Sequence, residues 1–207
     1  MKIYLRFLSY LLVIVGLSGA LADSYVDYFR AVNTDNASGV QSLLERGFDP
    51  NTISEYGQTG LYLAIRDDSP EVTAVLLASP ALKVDLANVA GETPLMMAAL
   101  RGKLELTEKL IAMGAKIQRE GWTPLHYAAT GPNVAVVALL LDLGAQIDAR
   151  APNGNTPLMM AANFGDEESV KLLLKRGADK RLLNDRKQRA ADLARASGRE
   201  WLAAMLE

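Results

Sequence analysis

A turn of the form Gly-x-Thr-x-Leu returns four times along this chain. The copies are Gly57-Gln58-Thr59-Gly60-Leu61, Gly91-Glu92-Thr93-Pro94-Leu95, Gly121-Trp122-Thr123-Pro124-Leu125 and Gly154-Asn155-Thr156-Pro157-Leu158, with threonines 34, 30 and 33 residues apart. A period in this range marks units that cannot bury their own apolar face and must stack on one another.

The residues inside each unit predict a pair of helices. Threonine caps a helix N-terminus, and proline at the next position loses no hydrogen bond there. Two copies continue as Leu-Met-Met-Ala-Ala (95–99 and 158–162) and a third as Leu-His-Tyr-Ala-Ala (125–129). Paired alanines keep this first helix thin, so neighbouring units can approach closely. A second apolar-periodic helix follows in each copy, over Val72–Leu77, Leu104–Ile111, Val134–Leu141 and Ser169–Leu174. Gly114, Gly144 and Gly177, each followed by Ala, then supply the left-handed residue that ends a helix.

This pattern resembles the ankyrin repeat, whose consensus is Gly-x-Thr-Pro-Leu-His-x-Ala-Ala, then Leu-Leu-Leu, then Gly-Ala-Asp. The resemblance runs from about Asp27 to Leu206. It implies an all-α solenoid of helix-turn-helix repeats with β-hairpin loops and a cap repeat at each end. The expected organisation is a signal peptide over 1–22 and a repeat domain over 23–207. Within the domain we place a cap at 27–52, repeats at about 54–87, 88–118, 119–150 and 151–183, and an end cap at 184–207. The chain departs from the consensus at Gly60 and Tyr62, where Pro and His are usual, and at Ser79-Pro80, where the closing Gly is missing. The hairpin running from Gln118 into Arg119-Glu120-Gly121 is about three residues short. Trp201, Leu202, Met205 and Leu206 are expected to fold back on the last repeat.

The first residues follow another logic. Lys2 and Arg6 precede an apolar run over Phe7–Leu17, and Ser18-Gly19-Ala20-Leu21-Ala22 ends in small residues. That order reads as a secretion signal cleaved after Ala22. An uncleaved span would need roughly 20 apolar residues, more than this run supplies. Cysteine is absent, which removes disulfides, thiolate chemistry and a lipid-modified Cys at the cleavage site. The expected product is a monomer without membrane insertion, in the periplasm or exported beyond it. An exported signal on a short repeat stack also resembles the periplasmic ankyrin proteins of Gram-negative bacteria.

Catalytic candidates are few. His126 is the one histidine, and at the family's Thr-Pro-Leu-His position it is expected to hydrogen-bond within and between repeats. No Gly-x-Ser-x-Gly elbow or phosphate-binding glycine loop occurs. The adjacent pairs Asp67-Asp68 and Glu167-Glu168 point their side chains in different directions on a helix. We therefore expect no enzyme and no cofactor or metal. The net charge of −2 gives no case for nucleic acid. The charge is polarised, with 11 acidic and 4 basic residues over Asp23–Leu100 but 5 acidic and 10 basic over Lys171–Glu207. The ends are either two solvated caps or, at Lys175, Arg176, Lys180, Arg181, Arg186 and Lys187, a basic patch that steers an acidic partner.

The family resemblance implies a protein partner held by the hairpin fingers and the exposed side of the first helices. By alignment the candidate binding residues are Tyr56, Gln58, Arg66, Glu92, Leu100, Arg101, Arg119, Trp122, Asn155 and Phe164. Tyr, Trp and Arg are the types that dominate interfaces. Trp122 and Phe164 can alternatively pack against a neighbouring finger. Of the paired methionines (Met96, Met97, Met159, Met160), one of each pair is expected in the core and the other on the binding side. Two roles fit such a module: an accessory that stabilises an envelope or stress-protection enzyme, or an inhibitor or immunity protein that blocks a periplasm-targeted toxin.

Overall fold

Threonine does start the first helix of each full repeat. Thr59, Thr93 and Thr156 accept the N–H of Tyr62, Met96 and Met159 at 3.2, 3.3 and 3.4 Å. The structure, a computed structural model, describes residues 19–207. The apolar run of the expected signal peptide lies outside the described residues, while 19–22 form the opening turn of α1.

Among the described residues twelve helices follow one another: α1 (Gly19–Asn33), α2 (Ala37–Glu45), α3 (Gly60–Arg66), α4 (Pro70–Ala78), α5 (Pro94–Leu100), α6 (Leu104–Ala112), α7 (Pro124–Thr130), α8 (Val134–Asp142), α9 (Pro157–Phe164), α10 (Glu167–Lys175), α11 (Ala190–Ala196) and α12 (Glu200–Leu206). None of the described helices is long and apolar enough to cross a membrane. The odd-numbered helices pack in one layer and the even-numbered helices in a second. Ala98, Ala99, Ala128, Ala129, Ala161 and Ala162 are buried between successive first helices. Small residues allow that layer to close up, while the Leu-rich second helices stand further apart, so the stack curves with its first helices and fingers on the concave side. Leu95, Leu125 and Leu158 are buried in turn, each burial contributing roughly 1.5–3 kcal/mol.

The second layer is open between α4 and α6. There a cleft of about 320 Å³ is lined by Ala74, Leu77 and Leu106, among others. At the C-terminal end Leu202 and Leu206 are buried, but Trp201 and Met205, one turn apart on α12, face outward. The expected fold-back therefore holds for half of that set, because a helix packed on one side must leave i, i+4 neighbours on the other.

The finger loops carry a single isolated antiparallel bridge among the described residues, Ile53 with Thr59, rather than paired strands. Each regular finger is closed by two backbone bonds, as in Ser54 N to Gln58 O (2.8 Å) and Gly57 N to Ser54 O (2.8 Å). The same pair recurs at Asn88–Glu92, Ala151–Asn155 and Asn184–Gln188. The short loop at 118–122 has neither bond, since three missing residues leave no room for the turn. Its place is held from outside. Arg119 pairs with Asp85 of the preceding repeat at 3.1 Å, and Gln118 donates to the Gly144 carbonyl at 2.8 Å.

Among the described residues, the buried hydroxyl of Ser169 has no hydrogen-bond partner. Ser169 occupies the place in α10 that Val72 and Val136 hold in α4 and α8, both fully buried. Ser169→Ala removes an unsatisfied group and should raise stability by about 1 kcal/mol. Urea denaturation reads this directly, and a lower midpoint would mean that the hydroxyl has found a partner.

Candidate functional site

The concave side is built by repetition, so equivalent residues form rows along it. The clearest row is the third residue of each first helix: Tyr62, Met96, His126 and Met159. Each reaches back to its own cap or forward to the next finger. The sulfurs of Met96 and Met159 accept the N–H of Thr93 and Thr156, both at 3.4 Å. His126 does this and more. Its Nδ1 accepts the Thr123 N–H at 3.2 Å, with the Thr123 hydroxyl 2.9 Å from the same nitrogen. Its Nε2 lies 3.0 Å from the carbonyl oxygen of Asn155 in the next finger. These partners assign the neutral tautomer with the proton on Nε2. The expected structural role of the histidine is thus what the geometry shows.

Burial pushes the His126 pKa below its usual value, and donation to Asn155 only partly offsets this. The unfolded chain therefore binds a proton that the folded chain resists. The stability from neutral His126 is present above the unfolded pKa of about 6.5 and is lost as pH falls from there toward the folded value. The thermal midpoint should drop between pH 7.5 and 5.5. Because His126 is the one histidine, His126→Met, which copies the neighbouring repeats, should flatten that window. An unchanged slope in the variant would assign the effect to other groups.

Tyr62 fills the row's first place differently. Its hydroxyl donates to Glu92 Oε2 at 2.7 Å. Tyr127, from the repeat on the other side, donates to Glu92 Oε1 at 2.8 Å, and Asn88 Nδ2 donates to Oε2 at 2.9 Å. One carboxylate thereby joins three consecutive repeats. Burial works to raise its pKa, but the three donors outweigh burial and hold it below the usual carboxylate value. Both tyrosine hydroxyls are pushed well above 10 by burial and by that carboxylate.

The other candidate binding residues divide into engaged and free. Arg66 grips Asp67 with two bonds, at 2.7 and 2.8 Å, and donates to Gln58 Oε1 at 2.9 Å. This ties the far end of α3 to the base of its finger. Arg119 is held by Asp85. Asn155 accepts from Asn184 at 2.9 Å as well as from His126. Trp122 is half-buried and packs edge-to-face on His126 and Tyr127, at centroid separations of 5.4 and 6.3 Å. Leu100 is half-buried against the N-terminal half of the core. Met97 is buried rather than surface-lining, and Met160 alone of the four methionines is half-buried.

Three candidates stand free of such ties. Tyr56 is 76% exposed at the first finger tip, Phe164 is 62% exposed at the end of α9, and Arg101 is exposed at the end of α5. Val89, a further position that the alignment places on a finger, joins this set. It is 66% exposed at the second finger tip, where its N–H donates to the Gly57 carbonyl at 3.0 Å and sets the two tips side by side. Of the six basic residues near the C-terminal cap, Arg176 is paired with Asp142 and Arg181 with Asp179.

Residues 28–120 and 116–184 match a family described as "Ankyrin repeats (3 copies)". The human ASB11 ankyrin repeat domain, a crystal structure, superposes with a TM-score of 0.69 and 33% identity, over 86% of this chain and 80% of that one. A putative ankyrin repeat protein of Rickettsia felis is 32% identical over 163 residues, covering 72% of this chain and 69% of that protein. The nuclear factor NF-kappa-B p105 subunit of Gallus gallus is 31% identical over 161 residues, 74% of this chain. The chain spans 14 to 21% of the length of that subunit and of two other animal relatives.

Proposed function

The chain belongs to the ankyrin repeat family, and from that premise we propose that it is a non-catalytic module of the bacterial periplasm that holds a partner protein on its concave side. The partner in this reading is an envelope or stress-protection enzyme that the module stabilises. One observation carries the binding surface. Tyr56, Val89, Arg101 and Phe164 stay exposed on fingers and first-helix ends, while the side chains around them are locked into ties between repeats. Large side chains on a rigid support lose little freedom when a partner covers them. The positive, apolar and small-residue order of residues 2–22 supports export.

The test is crosslinking and affinity capture from the native periplasm, comparing wild type with Tyr56→Ser plus Arg101→Ala. We expect one abundant partner that disappears from the double variant while thermal unfolding stays unchanged. Equal capture by both proteins would remove the concave side from the reading. N-terminal sequencing of the periplasmic protein should begin at Asp23. A first residue of Met1, or absence from that fraction, would refute export.

A further inference from the structure

We propose that Glu92, with the Tyr127 and Trp122 rings beside it, is a receptor for one basic side chain, a lysine or arginine, of the protein bound on this side. This inference rests on the reading above and names the chemistry of its partner. Glu92 carries a full negative charge, yet its three donors are two phenols and one amide, all neutral. Among the described residues it makes no ion pair. The nearby arginines are committed elsewhere, Arg66 to Asp67 and Arg119 to Asp85.

Joining three repeats does not by itself require a charge, because a glutamine amide could also accept from tyrosine hydroxyls. The three neutral donors stabilise the charge on Glu92 without cancelling it, so the carboxylate still presents a net negative charge to a cation supplied from outside. Room for one remains. Oε2 accepts two bonds and Oε1 one, so one acceptor position of the carboxylate is unfilled. Tyr127 is the shared member of the cluster, its hydroxyl on Oε1 and its ring edge-to-face with the half-buried Trp122. Aromatic faces beside a carboxylate attract ammonium and guanidinium groups. The acidic excess of residues 23–100 favours the approach of a basic group to this end of the stack.

Tryptophan fluorescence tests this in the full chain. The protein has two tryptophans, so Trp201→Phe leaves Trp122 as sole reporter. The probes are N-acetyl-arginine amide and N-acetyl-lysine amide, with N-acetyl-norleucine amide as the neutral control, at constant ionic strength. We expect saturable changes for both cationic probes, with Kd on the order of millimolar, and none for the neutral one. Glu92→Gln should weaken binding at least tenfold with its thermal midpoint monitored. If that variant unfolds, Tyr127→Phe keeps ring and charge, frees a second acceptor on Oε1 and should retain or tighten binding. No saturation in wild type up to about 50 mM, or equal responses in folded Glu92→Gln, overturns the proposal, as does loss of binding in folded Tyr127→Phe. The two readings fail separately. Capture that is lost on changing Tyr56 and Arg101, beside a negative titration, sinks only the receptor.

Discussion

Gly165→Ala should cost the protein about 3 kcal/mol or more, the largest effect of any single methyl group we foresee in this chain. The backbone is not the obstacle, because Gly165 has φ −85° and ψ −178°, values open to any residue. The obstacle is contact. A Cβ there would lie 2.0 Å from the carbonyl oxygen of Ala129, in the preceding repeat, and 3.0 Å from the Cα of Ala161. Both are backbone atoms in closely packed helices and neither can swing aside, so α7 and α9 must separate. Gly131 repeats the arrangement one unit earlier, 2.7 Å from the Leu100 carbonyl oxygen. Gly114→Ala is the control. It has open space around its Cβ and φ +96°, so it tests left-handed strain alone, at about 1–2 kcal/mol. Denaturant titration of both variants decides the matter. A Gly165→Ala loss no larger than that of Gly114→Ala would mean that the helix layer yields more easily than its packing implies.

Gly60→Pro should destabilise by about 2–3 kcal/mol, although it restores the family consensus. Proline suits the first position of a helix, and three of the four repeats have it there. At residue 60, however, the space is taken by Tyr28 of the N-terminal cap. A Cβ would meet its hydroxyl oxygen at 2.1 Å and its Cζ at 2.8 Å. Tyr28 is fully buried, packs on Phe29 and Phe48, and donates to the Pro50 carbonyl at 3.1 Å. It has nowhere to retreat. A double-mutant cycle with Tyr28→Leu separates the clash from other costs: Gly60→Pro should be far less harmful in that background. Equal losses in both backgrounds would place the damage in the proline ring and not in the tyrosine.

This pair also shows how far the sequence could be read. The missing proline was visible at residue 60, but its cause sits 32 residues earlier in a cap that has lost the turn motif. No local pattern links the two. The same holds for the candidate binding residues. Finger positions could be aligned, and Tyr56 and Phe164 did emerge exposed. Glu92, Arg119 and Asn155 share those positions, yet each is drawn into a bond with a partner 29 to 35 residues away. Alignment places a residue on a finger, and only the neighbouring repeat determines whether its polar atoms are already satisfied.

The sequence by itself determined the starts of the first helices and the left-handed glycines. All of these rest on interactions within a few residues: a threonine oxygen on an N–H three positions on, a proline whose missing donor costs nothing, a glycine with φ above zero. The tertiary structure decided which side chains remain available to a partner. It also decided which glycines exist for backbone conformation and which for close approach, and it gave the Glu92 carboxylate three neutral donors from three repeats. Those outcomes depend on atoms brought together from different repeats, where packing distance and the pairing of buried polar groups dominate local preference.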